Sequence, residues 1–474
     1  MDNIKLTRKG ICIDFKYLHN KIGMKKIRSI SNKFTIRTRS HNNIYKTIKC
    51  FKKKKGIIYI PRCSGIKLSP LIGDIKNELH NGDDVDYKDS TMILTPNQDI
   101  VCNHLMKNIY NDDNKSSGMS SCILQMDPGY GKTYLSLGII ENIRKKTMII
   151  VPNTYLLNQW YEILTNAFPN NMIGLYYGKK KIDGDIIISI INSALKYTDY
   201  DDIGLIIYDE VHMYCSKKYS QIFTTAQSIN CLGLTATPHE RIDKFDNVYV
   251  WHLGDIIYAS KIDGWDANHI EFKTNVTRVI YNGPDSHTKL LESNMGVVSV
   301  PLMINQLQED PYRNNMIVKY AIDMYNKGLC VFVFSDRREH LHNIATKLIN
   351  LNIDIKAPEL EGIKELMGGS NDVDIKEAKD NGRVILTTYQ YSGTGISINK
   401  MNSLILSTPR RSNMKQILGR IYRLNSDYDI TREIIDIMDN RICLKNQYYT
   451  RKKTYINGLN ANIVDIKHNW DDFI

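Results

Sequence analysis

Gln125-Met126-Asp127-Pro128-Gly129-Tyr130-Gly131-Lys132-Thr133 is the stretch on which the rest of the chain turns. An apolar run, Cys122 to Met126, leads into it, and a helix-like run, Tyr134 to Arg144, leads out. Strand, glycine-containing turn, Lys-Thr and helix together make a seat for a nucleoside triphosphate. Backbone N–H groups of the turn and of the helix N-terminus face the phosphate oxygens there. Lys132 would reach the β- and γ-phosphates, and the Thr133 hydroxyl would hold Mg²⁺. Met126, Asp127, Pro128, Gly129, Tyr130 and Gly131 form the loop of that cradle. Met126 stands where the long form of the pattern has its first glycine. A lone match of this kind can be accidental, so the order of the downstream motifs decides.

Working outward, short and nearly all-apolar runs recur: Cys122–Met126, Met148–Val151, Ile186–Ile191, Leu205–Tyr208 and Cys231–Leu234. Runs that are apolar on both faces suit the central strands of a parallel sheet covered by helices. The same grammar returns at Leu329–Phe334, Val384–Leu386, Leu404–Leu406 and Glu433–Ile437. The expected fold is α/β: two tandem parallel-sheet domains with a cleft between them, behind a small basic N-terminal accessory domain. The boundaries read as 1–90 for the accessory domain, 91–257 for the first α/β domain and 258–450 for the second. Residues 258–311 connect the two α/β domains, and 451–474 read as a C-terminal tail. Asn77–Asp89 is polar and acidic and reads as a linker.

Charge separates the N-terminal part from the rest. Residues 1–60 hold 17 Lys+Arg against 2 Asp+Glu, a net +15, while all 474 residues sum to +12, so the remainder is −3. Aromatics (Phe15, Tyr17, Phe34, Tyr45, Phe51, Tyr59) are interleaved with the basic residues, which include Lys52-Lys53-Lys54-Lys55. A polyanion such as DNA or RNA is the partner this pattern suits, because phosphate neutralisation releases counterions. A solvated surface that keeps the protein soluble is the plainer alternative. No apolar run nears the ~18 residues of a membrane span, so no membrane partner is expected. The opening Met1-Asp2-Asn3-Ile4-Lys5 does not begin a secretory signal. The nine cysteines form no Cys-x-x-Cys pair and read as reduced thiols of a cytosolic or nuclear-type compartment.

Tyr208-Asp209-Glu210-Val211-His212 ends an apolar strand with two acids. Asp209 at the strand tip would complete Mg²⁺ coordination, and Glu210 would orient or deprotonate the water that attacks the γ-phosphate. His212 can carry a hydrogen bond onward. An exposed acidic turn is the bland alternative for Asp-Glu alone. Leu234-Thr235-Ala236-Thr237-Pro238 comes after the next apolar strand, and its two hydroxyls make a hydrogen-bonding turn able to sense the neighbouring acid. A purely structural turn is its alternative.

Gly-Tyr-Gly-Lys-Thr, Asp-Glu-Val-His and Thr-Ala-Thr-Pro in this order resemble motifs I, II and III of the superfamily 2 helicases. The resemblance implies two RecA-like domains, ATP as the fuel and Mg²⁺ as its metal. It extends to Gln98, similar to the glutamine that reads adenine in this superfamily. Val151-Pro152-Asn153-Thr154 with Gln159-Trp160 resembles motif Ia, and Asn192 lies in a stretch similar to motif Ib. By that likeness Asn153, Thr154 and Asn192 would contact the nucleic-acid backbone, as would Ser335 in a motif IV-like stretch. Thr388 would do so in a motif V-like stretch that also places Gly395 at the nucleotide.

Gln416-Ile417-Leu418-Gly419-Arg420-Ile421-Tyr422-Arg423 resembles motif VI. On a helix Gln416, Arg420 and Arg423 would share one face, and either arginine would serve as the finger that completes ATP hydrolysis. Ser397 stands where many members have Asp, and Gly-Ile-Ser there resembles phage helicases that remodel branched DNA. More of the chain resembles helicases of large cytoplasmic DNA viruses. These include the poxvirus transcript-release helicase (Tyr391–Gly395) and the African swine fever-type helicase (Thr408–Arg420). The resemblance implies an ATP-dependent helicase or translocase on DNA or RNA, engaged in viral transcript release. RNA polymerase and other transcription factors would be its protein partners, in the cytoplasm or the virion. A duplex translocase that remodels branched DNA, and a catalytically silent nucleic-acid-binding scaffold, are the competing expectations.

Overall fold

The structure, a computed structural model, describes residues 3–39, 45–87, 90–238, 244–266, 272–294, 296–355, 361–392, 398–410, 414–422, 429–440 and 442–474. The chain divides into two compact units, Met1–Ala267 and Asn268–Ile474. Among the described residues no helix is long and apolar enough to cross a membrane.

The first unit opens with strands β1 (Ile4–Thr7) and β2 (Gly10–Asp14), then helix α1 (Phe15–Lys33). Strands β3 (Thr35–Arg39) and β4 (Tyr45–Lys49) pair as a separate antiparallel ribbon. Strands β5 (Lys52–Lys54), β6 (Ile57–Ile60) and β7 (Lys76–Asn77) complete a small sheet ordered β5-β6-β2-β1-β7. Alternation puts Leu6, Ile11, Ile13 and Ile58 on its buried face, where Leu18 of α1 meets them.

This layer is fastened to the larger sheet of the same unit. Ile48 of the ribbon lies in the core of that sheet. Arg62, in helix α2 (Arg62–Ile66), is wholly buried and donates to the carbonyls of Gly118 (2.8 Å), Ser228 (2.6 Å) and Ile229 (2.7 Å). A buried guanidinium persists only when its donors are met, and here main-chain oxygens meet them.

After helices α3 (Ser69–Ile72), α4 (Pro96–Asn108) and α5 (Asp112–Ser117) comes the main sheet. Its first half is β8 (Ser121–Gln125), helix α6 (Lys132–Ile143), β9 (Thr147–Val151), helix α7 (Thr154–Ala167) and β10 (Ile173–Tyr177). Then come β11 (Lys180–Ile182), β12 (Ile186–Ile190), β13 (Leu205–Tyr208), β14 (Asn230–Thr235) and β15 (Ile256–Tyr258). The order is β11-β10-β12-β9-β13-β14-β8-β15, parallel except where β10 meets β11. Register sets Tyr208 opposite Gly233 and Ile150, and Thr235 opposite Gln125. The carboxyl ends of β13, β14 and β8 therefore emerge side by side, where ligands of such sheets bind.

The second unit is built on β16 (Thr274–Asn282), β17 (Val331–Ser335), β18 (Ile363–Leu366), β19 (Val384–Thr388), β20 (Ser403–Leu406), β21 (Arg432–Asp439) and β22 (Asn462–Asn469). All its pairings are parallel, in the order β18-β19-β17-β20-β21-β16-β22. The apolar runs of the sequence each fall on a strand of one sheet or the other.

Three expectations of organisation need correcting. Asn77–Asp89 is not a loose linker: Tyr87 is buried in the main core, and its hydroxyl donates to Lys145 O at 3.1 Å. The first unit runs past 257, because β15 pairs with β8 through Tyr258 and Asn97 holds Asp266 by two hydrogen bonds. Residues 451–474 are not a tail either. The helix Ile442–Leu459 crosses that boundary, and β22 pairs along its whole length with β16.

Candidate nucleotide site at the strand ends of the first unit

The loop between β8 and α6 is shaped by two glycines in the left-handed region, Gly129 (φ 91°) and Gly131 (φ 79°). That conformation costs an L side chain steric strain. At Gly131 a Cβ would also collide with the side-chain amide of Gln98. Gln98 is buried and donates through Nε2 to Tyr130 O at 3.0 Å. Its Oε1 accepts the Thr95 N–H at 3.0 Å, and Thr95 Oγ1 takes the Gln98 N–H, a capping box that fixes the start of α4.

Gln98 Nε2 thus holds the loop while its Oε1 caps α4. This differs from the adenine-reading role expected of it. The Tyr130 ring packs on Trp265, with centroids 5.2 Å apart.

Helix α6 begins at Lys132, and its N-cap is Gly131, which offers no side chain to the first N–H groups. An anion seated there would meet those donors and the positive end of the helix dipole. The Lys132 ammonium reaches back over the loop to Met126 O at 2.8 Å. Met126 is buried, and its N–H meets Thr235 O at 3.2 Å. Gln125 Nε2 bridges Asp127 Oδ1 (2.9 Å) and Ala236 O (3.1 Å), so it links the loop to the Thr-Ala-Thr turn. Pro128 and Thr133 line the cradle half-buried.

Asp209 is buried and held from three sides. Its N–H meets Ile150 O (2.9 Å), Oδ2 accepts the Trp160 indole N–H (2.9 Å), and Oδ1 accepts the Glu210 N–H (3.0 Å). Burial, reinforced by the charge of Glu210, pushes the Asp209 carboxyl up to about 6, against the pull of the Trp160 donor and the Lys132 ammonium. Glu210 has a positive φ of 49°, a strained backbone that turns its side chain off the strand axis. Its Oε2 is buried and lies 3.3 Å from His212 Nδ1, yet has no hydrogen-bond donor among the described residues. His212 Nδ1 is 3.1 Å from Thr235 Oγ1, which also accepts the Thr237 N–H at 3.1 Å. One continuous chain of polar contacts therefore joins the ends of β13 and β14.

These residues fit a triphosphate and its divalent cation. A side chain at Gly131 would be strained, the helix start carries no side-chain cap, and Glu210 has a buried oxygen that takes no hydrogen bond among the described residues. Asp209 is a carboxylate whose burial a bound cation would offset.

The remaining sequence-predicted residues are placed unevenly. Asn153 is the N-cap of α7 and accepts the Leu156 N–H at 2.9 Å, with Thr154 exposed beside it. Asn192 is exposed and accepts Lys218 Nζ at 2.8 Å. Thr388 is nearly buried and accepts the Tyr391 N–H at 3.2 Å.

Ser335 overturns its expectation. It is fully buried between His340 Nδ1 (3.0 Å) and the Arg337 N–H (3.1 Å), so it cannot meet a nucleic-acid backbone. Gln416 and Arg420 are nearly buried, but the α-helix there spans only Met414–Leu418 before i→i+3 turns take over. Gln416 and Arg420 therefore do not share one unbroken α-helix. Arg423 and Gly395 lie outside the described residues.

Two residues make contacts at the site that the sequence does not assign to them. Gln125 ends an apolar run and gives no signal. Trp160 falls in the motif Ia-like stretch, and nothing in that likeness points to its bond with Asp209.

Two parallel RecA-like sheets, with glycine loop, acids and hydroxyl turn on neighbouring strand ends, define a superfamily 2 helicase. Comparisons with known proteins agree. Residues 91–240 match the family model described as type III restriction enzyme, res subunit. QP509L of African swine fever virus, which carries the name of an ATP-dependent RNA helicase, is 31% identical over 356 residues, 70% of this chain and 68% of that protein. The transcript termination protein A18 of Yaba-like disease virus is 25% identical over 75% of each chain. Among solved structures, a fragment carrying the name of an HsdR subunit of a type I restriction enzyme from Vibrio vulnificus aligns over 79% of this chain and 68% of that one. Its TM-score is 0.54 and its identity 18%, a likeness of fold. The chain belongs to the ATP-dependent helicases of large DNA viruses that QP509L represents, and it is an ATP hydrolase.

Proposed function

We propose that the chain is a nucleic-acid-stimulated ATPase of viral transcription, which moves along DNA or RNA to release a transcript. The observation that carries this is the single network at the ends of β8, β13 and β14. It runs through Lys132, Asp209, Glu210, His212 and Thr235.

In this reading the loop Met126–Gly131 and Lys132 hold the phosphates, with Gln98 keeping the loop in shape. Thr133 and Asp209 would hold Mg²⁺, which would supply positive charge to screen the phosphates. Glu210 holds the attacking water and takes its proton. His212, Thr235 and Thr237 pass the state of Glu210 to the nucleic-acid side.

Asn153, Thr154, Asn192 and Thr388 contact the strand backbone. The exposed Arg37, Lys46, Lys49 and Lys52–Lys55 of the N-terminal layer draw it in electrostatically. The likeness to a protein named for transcript termination supports the setting in transcription.

ATPase rate titrated with single strands, duplexes and forks of DNA and of RNA tests the reading. Stimulation by at least one form, weakening as salt rises, is expected. No stimulation by any form, with ATP turnover intact, would overturn it. Preference for forks over single strands would instead select a remodeller of branched DNA.

A further inference from the structure

Asp209 is not held by its own strand alone. Its N–H bonds Ile150, the fourth residue of β9, and its carboxylate accepts from Trp160, the seventh residue of α7. Those two anchors lie on either side of one turn, Pro152–Asn153, so the acid is tied to both elements that flank it. The same turn presents Asn153 as the cap of α7 and Thr154 exposed in its first residue. Tyr214 adds a further tie, its hydroxyl donating to Ile150 O at 3.0 Å.

Trp160 is 1% exposed, and six residues of helix, about 9 Å, separate it from Thr154. A buried indole N–H needs an acceptor, but the main-chain oxygens of a helical core would normally supply none, and here a charged group does. Helix α7 therefore has the exposed turn at one end and a charge-assisted hydrogen bond to Asp209 along its length.

We infer that Trp160 is a positioning residue that couples occupancy of the Asn153–Thr154 turn to the carboxylate of Asp209. This rests on the reading of Asp209 as the Mg²⁺ acid and of that turn as a strand contact. A strand bound at the turn shifts α7, the indole carries the shift to Oδ2, and the acid takes the position that hydrolysis requires. Stimulation of the ATPase by nucleic acid then has a defined path within one unit.

Trp160→Phe keeps the ring in the core and removes the donor. In the full chain, Mg²⁺ half-saturation for binding a non-hydrolysable ATP analogue should rise about 10–100-fold, the range seen when a partner of a metal ligand is lost. Affinity for the same analogue with a chelator present should not change, and the stimulated-to-basal ATPase ratio should fall. Unchanged Mg²⁺ half-saturation and an unchanged ratio would make Trp160 an ordinary core residue and overturn the inference.

A second measurement leaves Trp160 in place. The chain labelled with 5-fluorotryptophan has four tryptophans, and Trp251→Phe, Trp265→Phe and Trp470→Phe assign the fourth fluorine resonance by elimination. That resonance should shift when an oligonucleotide is added without nucleotide. A resonance that stays fixed while the oligonucleotide binds overturns the coupling. Failure of the functional reading itself looks different: wild type would then show no stimulation at all.

Discussion

The two units share a sheet architecture and differ in what stands at their strand ends. In the first, polar groups there keep spare capacity: a carboxylate raised by burial, an orphaned oxygen on Glu210, and a helix start without a side-chain cap. In the second, several charged and polar groups on or near the strands close on one another. Arg313 donates to Asp439 (2.8 Å), Arg451 to Asp436 (2.6 Å), Arg410 to Asp336 (3.0 Å), and Ser335 is spent on His340 (3.0 Å). The difference teaches that fold alone does not make a site. The first unit leaves polar capacity at its strand ends, and the second spends these four contacts as structure.

The largest test of that contrast is on the second unit. Among the described residues, Arg451→Ala leaves buried Asp436 with Tyr455 as its side-chain donor, and should cost about 3–5 kcal/mol of unfolding free energy. Denaturant titration measures it, and a loss under ~1 kcal/mol would mean the pair is not structural.

Next comes pH at the first unit. Because the Asp209 carboxyl is raised to about 6, protons compete with a cation below that pH. Binding of an ATP analogue with Mg²⁺ should weaken about tenfold per pH unit below ~6, once the acid must be deprotonated for the metal. Binding with a chelator present should not show the same decline. An onset near 4 instead would show that Asp209 is not held as described.

Both units also bury a neutral histidine. His252 and His340 are both lowered to about 3, chiefly by burial, with Lys52 and Arg313 respectively adding repulsion. A folded value below the unfolded one gives stability that is whole above about 6.5 and lost as pH falls toward 3. The slope is about 1.4 kcal/mol per pH unit per histidine. His340→Gln should flatten that acid decline in the second unit and leave the His252 share. An unchanged decline would mean that His340 is already charged in the fold.

The smallest effect is at the cap of α7, where Asn153→Ala should cost about 1 kcal/mol and shift the unfolding temperature by roughly 2–4 °C. No shift would place the cap bond outside the stability of that unit.

Much of this was legible in the chain beforehand. Leu205–Tyr208 runs apolar on both faces and ends in two acids, and the structure puts a central strand there with all four residues buried. The glycine loop was legible for a like reason, since a φ of 79° at Gly131 demands glycine.

What stayed hidden is tertiary. β22 alternates exposed and half-buried residues at a sheet edge, a pattern that reads as surface chain until β16 is known to lie beside it. Tyr87 sits among acids and asparagines, so its burial reflects the surface it finds and not its neighbours in sequence. Ser335 shows the converse error: a motif gives position along the chain, but its side chain turned inward to His340. Trp160 falls in the motif Ia-like stretch, and only the fold revealed that its one polar side-chain atom meets Asp209.

In the proposed mechanism Glu210 activates water for ATP held at the strand ends of the first unit. ATP turnover by Glu210→Gln in the full chain, beside equilibrium binding of ATP, tests it most directly. The expected result is a fall of about 10²–10⁴-fold in turnover with ATP affinity kept within a few-fold. Turnover that stays within a few-fold of wild type would contradict the account.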